Sequence, residues 1–387
     1  MKKYFDYDAN FLQRHHAKHT AKEINQQPRI WQNLCLALKN NQSQWQAFLR
    51  PLLADPNLNI ILTGAGSSAF AGSTLAPWLR QKTGLNVHAY GTTEIVSNPL
   101  QSLSANKKTL IISYARSGNS PESLATIELA DQLISDCYHL FITCNPNSAL
   151  TCYAKKSQKI FELVMPEGSH DVGFAMTSSI SSMMMTTILV LGYKNWQDAA
   201  QLAEYIAQVC SDKLSEWQTI IKQLAKQPFD RIVYVGSGCF MGLSQEASLK
   251  VLELTAGKIA TRFDSTLGLR HGPKFMVDKN TLIICMQSND PYTRQYDLDL
   301  FNELKRDHIA SQVIGLSGIN TDDSDTYCVD LSLDDIWLIF PYLLFAQMLA
   351  FEKSLAVGLG PDNPCPSGEV NRVVKGVNIY PFIAHKQ

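Results

Sequence analysis

Three groups of residues have the types and spacing to do chemistry. In the first, Gly64-Ala-Gly66-Ser67-Ser68-Ala69 follows the apolar run at 60–63. A buried strand that feeds a glycine turn and then hydroxyls at a helix start points backbone NH groups at an anion, and Gly66 lets the anion come close. This outlines a phosphate cradle. Two other readings stay open. The glycines could serve only the φ values of a strand-to-helix turn, or Gly64, Gly66 and Ala69 could open a GxGxxA dinucleotide site. Against the latter, the next strand-like run, 86–90, does not end in an acid for a ribose, and Glu94 comes late.

The second group, Arg116-Ser117-Gly118-Asn119-Ser120-Pro121, follows the apolar run 109–115. Ser120 is a natural N-cap and Pro121 a natural first helical residue. Capping accounts for those two but leaves Arg116, Ser117, Gly118 and Asn119 without a structural duty. A cation, hydroxyls and a second helix start would converge on the crevice floored by Gly66, Ser67 and Ser68.

The third group lies in the second half. Glu246, Lys250 and Glu253 are spaced i, i+4 and i+7 and share one helix face, which by spacing alone reads as a solvated, salt-bridged stripe. His271, in the turn Gly268-Leu-Arg-His-Gly-Pro-Lys274, could by pattern alone be a capping or packed histidine.

Elements that position these residues alternate along the chain. Strands are expected at 58–63, 109–115, 138–143 and 159–164, with helices at 68–82, 121–135 and 175–191 between them. The same grammar restarts after a helical linker at 201–224: a strand at 231–235, a Gly236-Ser-Gly238 turn, a helix through 257, strands at 282–286 and 313–316, and a long helix at 335–357. Such βαβ alternation implies an α/β fold with parallel, doubly wound sheets and a ligand crevice beyond the carboxyl ends of the strands. Both halves open with strand, Gly-x-Gly turn and helix, so they read as degenerate copies. The corresponding second-half turns lack the density of hydroxyls, so one copy is expected to bind phosphate and the other to have lost that duty. The first 50 residues form a helical lead-in closed by Pro51, and the Pro- and Gly-rich tail is expected to wrap over the surface.

The 387 residues carry 34 Lys plus Arg against 35 Asp plus Glu, so no global charge attracts nucleic acid or an anionic membrane. Nine cysteines form no CxxC pair and read as reduced thiols. The N-terminus meets Asp6 and Asp8 instead of an apolar run, and the apolar stretch at 180–192 is too short to span a bilayer. A cytoplasmic location is expected. No metal-ligand cluster stands out, His15, His16 and His19 reading as a solvated helix face, and no cofactor is called for.

Taken in order, LTGAGSSAF, RSGNSPES, GFAMTSS, SLKVLELTAGK, RHGPK, PYTRQYDLDL and VNRVVKGV resemble the sugar isomerase (SIS) domain family, and within it the AgaS-type group of galactosamine-6-phosphate deaminase/isomerases and tagatose-6-phosphate ketose/aldose isomerases. The resemblance runs from about residue 53 to the end. It implies two tandem SIS domains with flavodoxin-like sheets, at 51–200 and 215–360, after a helical segment at 1–50 and before a tail at 361–387 over the active site. A more distant similarity, to the isomerase half of glucosamine-6-phosphate synthase, implies roles. Ser67, Ser68, Ser117 and Ser120 match phosphate-loop positions, Glu253 the carboxylate that carries a proton between C2 and C1, His271 the ring-opening histidine, and Lys375 a lysine beside the sugar. Ala115-Arg116 and Met176 depart from that pattern.

The implied activity is conversion of galactosamine 6-phosphate and water to tagatose 6-phosphate and ammonia. The alternatives are deamination of glucosamine 6-phosphate, isomerisation without loss of nitrogen, and a sugar-phosphate sensor. A dinucleotide-dependent oxidoreductase ranks last. The implied partners are a small phosphosugar and a second copy of the chain, in a homodimer whose His271 reaches the neighbour's site.

Overall fold

The computed structural model describes residues 3–374 and 376–383. Four helices, α1 (Ala9–Arg14), α2 (Lys18–Asn25), α3 (Gln27–Asn40) and α4 (Gln42–Leu53), precede the first sheet. Pro51 does not close α4, as the sequence suggests; it lies inside the last turn, gives up one intrahelical NH bond, and the helix runs on to Leu53.

The first sheet contains β1 (Asn59–Gly64), β2 (Asn86–Gly91), β3 (Thr109–Ala115), β4 (Cys137–Thr143) and β5 (Ile160–Val164) in the order β2-β1-β3-β4-β5. Its helices are α5 (Ser67–Thr83), α6 (Thr92–Ser97), α7 (Pro99–Ser102), α8 (Pro121–Leu133), α9 (Ala149–Ala154) and α10 (Ser178–Leu191). A single 30-residue helix, α11 (Trp196–Ala225), leads to the second sheet, which comprises β6 (Arg231–Gly236), β7 (Ala260–Asp264), β8 (Thr281–Met286), β9 (Gln312–Ser317) and β10 (Thr326–Cys328). The order β10-β9-β8-β6-β7 is the first sheet's order rebuilt, and every strand pair in both sheets is parallel. The sequence reading omits β7 and β10, a half-exposed edge strand and a three-residue one. The helices of this half are α12 (Cys239–Leu254), α13 (Pro291–Asp307) and α14 (Asp335–Ala356).

Both faces of each sheet are covered, which is why the central strands read as unbroken apolar runs. Ile60 and Leu62 of β1 face a core shared with Ile232 and Tyr234 of β6, whereas Ile61 faces Ile95 and Leu129 on the other side. Val233 and Val235 likewise turn outward to Leu300 and Leu304 of α13. The shared layer brings α5 and α12 so close that a Cβ on Gly242 would lie 2.4 Å from the Thr74 nitrogen. Helix α14 is long and apolar enough to cross a membrane by composition, but it is buried in this layer. The duplication extends to single dihedrals: Gly66 before α5 has φ 56° and ψ −129°, and Gly238 before α12 has φ 58° and ψ −123°. Both torsion pairs favour glycine.

Candidate active site

In a sheet ordered 2-1-3-4-5, the crevice lies where the chain leaves β1 and β3 in opposite directions. Gly66 and Ser67 follow β1 there, and Arg116 to Ser120 follow β3. All of these but Asn119 line, together with Glu253, one cavity of about 640 Å³. Ser120 caps α8, its hydroxyl accepting from the Ser123 NH at 3.3 Å. The turn before it is braced from the β4 side: Asn145 donates to the Ser117 carbonyl at 2.9 Å, and Asn119 accepts from the Ala149 NH at 2.8 Å. Gly118 has φ 65° and passes so close to Ser148 that a Cβ would lie 2.5 Å from it. Ser68 also lines the cavity, with its hydroxyl 3.8 Å from the Met176 sulfur.

Arg116 is 9% exposed and is held by carbonyls alone: Phe174 at 3.0 Å, Gly173 at 3.4 Å and Arg372 at 2.9 Å. Burial, then the nearby Arg372, lowers its pKa. No carboxylate pairs with it among the described residues. A buried guanidinium without a counter-charge is costly unless an anion is supplied.

The Glu246, Lys250 and Glu253 stripe corrects the sequence reading. It is not a solvated face, because α12 packs this side against α5 and the cavity. Glu246 and Lys250 are fully buried, and Glu253 is partly open to the cavity. Lys250 Nζ donates to Glu253 Oε2 at 2.7 Å and to Ser67 Oγ at 2.8 Å, and lies 3.2 Å from Glu246 Oε1 as an ion pair without hydrogen-bond alignment. Burial pulls the ammonium pKa down, and the two carboxylates more than reverse this, so Lys250 stays charged. Burial raises Glu246 to about 7 against the opposing pull of Lys250. The second sheet's helix thus delivers a carboxylate to the first sheet's crevice, linked by one lysine to the anion cradle.

The tail does more than wrap the surface. Cys365, Val370 and Arg372 line the cavity, and Arg372 is tied to the carbonyls of Gly173, at 3.2 Å, and Asp171. Lys375 lies outside the described residues. His271 is exposed in the turn after the 3₁₀ segment Gly268–Arg270 and does not line this cavity. Sequence reasoning gave no role to Lys250, Arg372 or Glu122. Glu122 is 8% exposed, lines the cavity and leaves Oε2 unpartnered among the described residues. Its place beside Ser120 in RSGNSPES was the available signal. Away from the cavity, Asp131, Cys137 and His139 bring their ligand atoms within 4.8 Å of one another, a trio that sequence spacing did not reveal. None of the three lines the cavity.

Residues 52–191 match the SIS domain model. The D-galactosamine-6-phosphate deaminase AgaS of Shewanella sp. (strain ANA-3) is 46% identical, with 94% of this chain and 92% of that protein covered. The crystal structure of tagatose-6-phosphate ketose/aldose isomerase from Escherichia coli superposes with a TM-score of 0.87 at 42% identity, covering 94% of this chain and 97% of that one. Glucosamine-6-phosphate deaminase from Thermotoga maritima, at 21% identity and a TM-score of 0.67, shares the fold.

Proposed function

Because this chain belongs to the SIS-domain family, in the group of these AgaS relatives, we propose that it is a hydrolytic deaminase converting galactosamine 6-phosphate to tagatose 6-phosphate and ammonia. The observation that carries the reading is the link from Ser67 through Lys250 to Glu253, which joins an anion cradle to a carboxylate in one cavity. The substrate phosphate sits among Gly66, Ser67, Ser68, Arg116, Ser117, Gly118 and Ser120, where hydroxyls, helix-start NH groups and an unpaired guanidinium converge.

With the ring open, Glu253 removes the C2 proton, giving an enolamine, and returns a proton to C1. The resulting C2 imine takes up water and releases ammonia. C1 has gained the hydrogen that C2 lost, so the product is the ketose, and no redox step is needed. Lys250 holds and aims the Glu253 carboxylate by donating to its Oε2. A deaminase and a tagatose-6-phosphate isomerase, the two activities named for the relatives, share this proton transfer and differ in whether nitrogen leaves.

Ring opening is assigned to His271 of a second copy in a homodimer, and a role for Lys375 in the reaction rests on the family resemblance alone. Exposure of His271 beside Phe275, which is 96% exposed, supports a partner at this turn. Domains at 51–200 and 215–360 are supported by one five-stranded sheet in each, with α11 running from the first into the second. A cytoplasmic location is supported by nine free cysteines.

The deciding experiment is ammonia release with galactosamine 6-phosphate and glucosamine 6-phosphate side by side. Ketose formation without ammonia from an unaminated aldose phosphate would favour simple isomerisation, and binding without turnover would favour a sensor. For the shared site, inactive His271→Asn and inactive Glu253→Gln subunits should recover part of the activity when mixed. Failure in demonstrated mixed dimers removes His271 from a partner's site.

A further inference from the structure

Both cavity guanidinium groups hang from one short loop, residues 171–174, and that loop is gripped from the far end of the chain. Glu23 on α2 is 5% exposed. Its Oε1 accepts from the Val172 NH at 2.6 Å, and its Oε2 accepts from the Gly173 NH at 3.1 Å. The approach is tight: a Cβ on Gly173 would lie 2.9 Å from Glu23 Oε2 and 2.8 Å from Thr20 Oγ1. Neighbouring contacts fix the same joint. Ser178 Oγ donates to the Glu23 carbonyl at 2.6 Å, and Gln26 Nε2 donates to the Gly168 carbonyl at 2.7 Å. With the Val172 and Gly173 NH groups turned to Glu23, the loop spends its carbonyls on Arg116, through Gly173 and Phe174, and on Arg372, through Asp171 and Gly173.

Both carboxyl oxygens of Glu23 accept from adjacent NH donors, whereas an amide of the same size would turn its NH₂ toward one of them. Packing alone would not ask for that chemistry.

We propose that Glu23 is a positioning residue for substrate binding: it sets the 171–174 loop whose carbonyls aim Arg116 and Arg372 into the cavity, so α2 belongs to the binding machinery. This rests on reading the cavity as a phosphosugar site. Glu23 does not touch substrate and acts through the two arginines.

The test is a double-mutant cycle on the full chain. Glu23→Gln should raise KM for galactosamine 6-phosphate about tenfold while kcat stays within about twofold, because the loss falls on binding. Arg116→Lys should raise KM by at least as much, and the double variant should fall well short of the product of the two effects, the remainder running through Arg372. If the two effects multiply, or if Glu23→Gln leaves KM unchanged, the proposal is overturned. Should Glu23→Gln fail to fold, Gly173→Ala pushes the loop away from Glu23 by crowding the same contact and leaves the carboxyl group intact. It should give the same rise in KM, and an unchanged KM overturns the proposal equally. If the unmutated protein releases no ammonia, the deaminase reading falls, but calorimetric affinity for galactose 6-phosphate in the same variants still decides the role of Glu23. No binding of either phosphosugar by the unmutated protein overturns both.

Discussion

The crevices at the two switch points are nearly equal in size and opposite in furnishing. The second, beside β6 and β8, encloses about 670 Å³ and is lined by Asp290, Asp334 and Asp335, with Lys82 reaching in from α5. Its donors are already used. Ser237, at the position of Ala65 in the first half, donates to Asp297 Oδ1 at 2.7 Å. The Ser288 NH donates to Asp297 Oδ2 at 2.9 Å, and the Asn289 NH to Asp335 Oδ1 at 2.7 Å. In the first crevice the Arg116 guanidinium is buried with no carboxylate in direct contact among the described residues, and Ser67 and Ser117 line the cavity. A duplicated scaffold can therefore carry opposite electrostatics: carboxylates of the fold itself meet the donors in one copy, and the other leaves them for an incoming anion.

The largest expected effect separates the copies by chemistry. Glu253→Gln keeps size and hydrogen bonding but removes the base, so turnover should fall about 10² to 10⁴-fold with phosphosugar binding retained. Near-normal turnover would sink the proposed role. In the second crevice Asp335→Asn should leave kcat unchanged, and a comparable fall there would erase the distinction between the two.

Lys250→Met tests the bridge between the halves. Removing the cation leaves Glu246 and Glu253 facing each other, and breaking a buried pair this way should cost about 3–5 kcal/mol of stability. Adding Glu246→Gln should recover part of it in urea unfolding. A single variant as stable as the parent would show that the lysine is not what holds the two carboxyl groups in place.

Ser67→Ala with Ser117→Ala should raise KM about tenfold or more while the fold stays intact. Ser237→Ala, in the other copy, should leave KM alone and cost about 1 kcal/mol, because its hydroxyl serves Asp297. Equal effects on KM would show that both crevices bind substrate.

The smallest effect is on pH dependence. A glutamate's ordinary value is 4.5, and burial lifts Glu246 to about 7. Between these values the folded chain keeps a proton that the unfolded chain has released, so this group makes stability fall as pH climbs from about 4.5 to about 7. Glu23 and Glu352, also raised chiefly by burial, tilt stability the same way. Glu246→Gln should therefore flatten only part of the slope of thermal stability against pH. An unaltered slope would show that the buried carboxyl titrates alike in both states.

Residue order alone was enough for the alternation of buried strands with helices, the glycine turns after β1 and β6, and the Ser120-Pro121 helix start, because each depends on local periodicity and local dihedral limits. The same order, through its motifs, pointed to the family and to Ser67, Ser117 and Glu253. Spacing put Glu246, Lys250 and Glu253 on one helix face, but a face is solvated or buried according to what packs against it. Only the close approach of α12 to α5 turned that stripe into a buried bridge to Ser67. Tertiary structure also brought Arg372 and Glu23 to one loop from sequence positions 349 residues apart, and left His271 outside the cavity that holds Glu253. Sequence distance carries no information about such meetings, since the chain closes them through packed layers of helices from both halves.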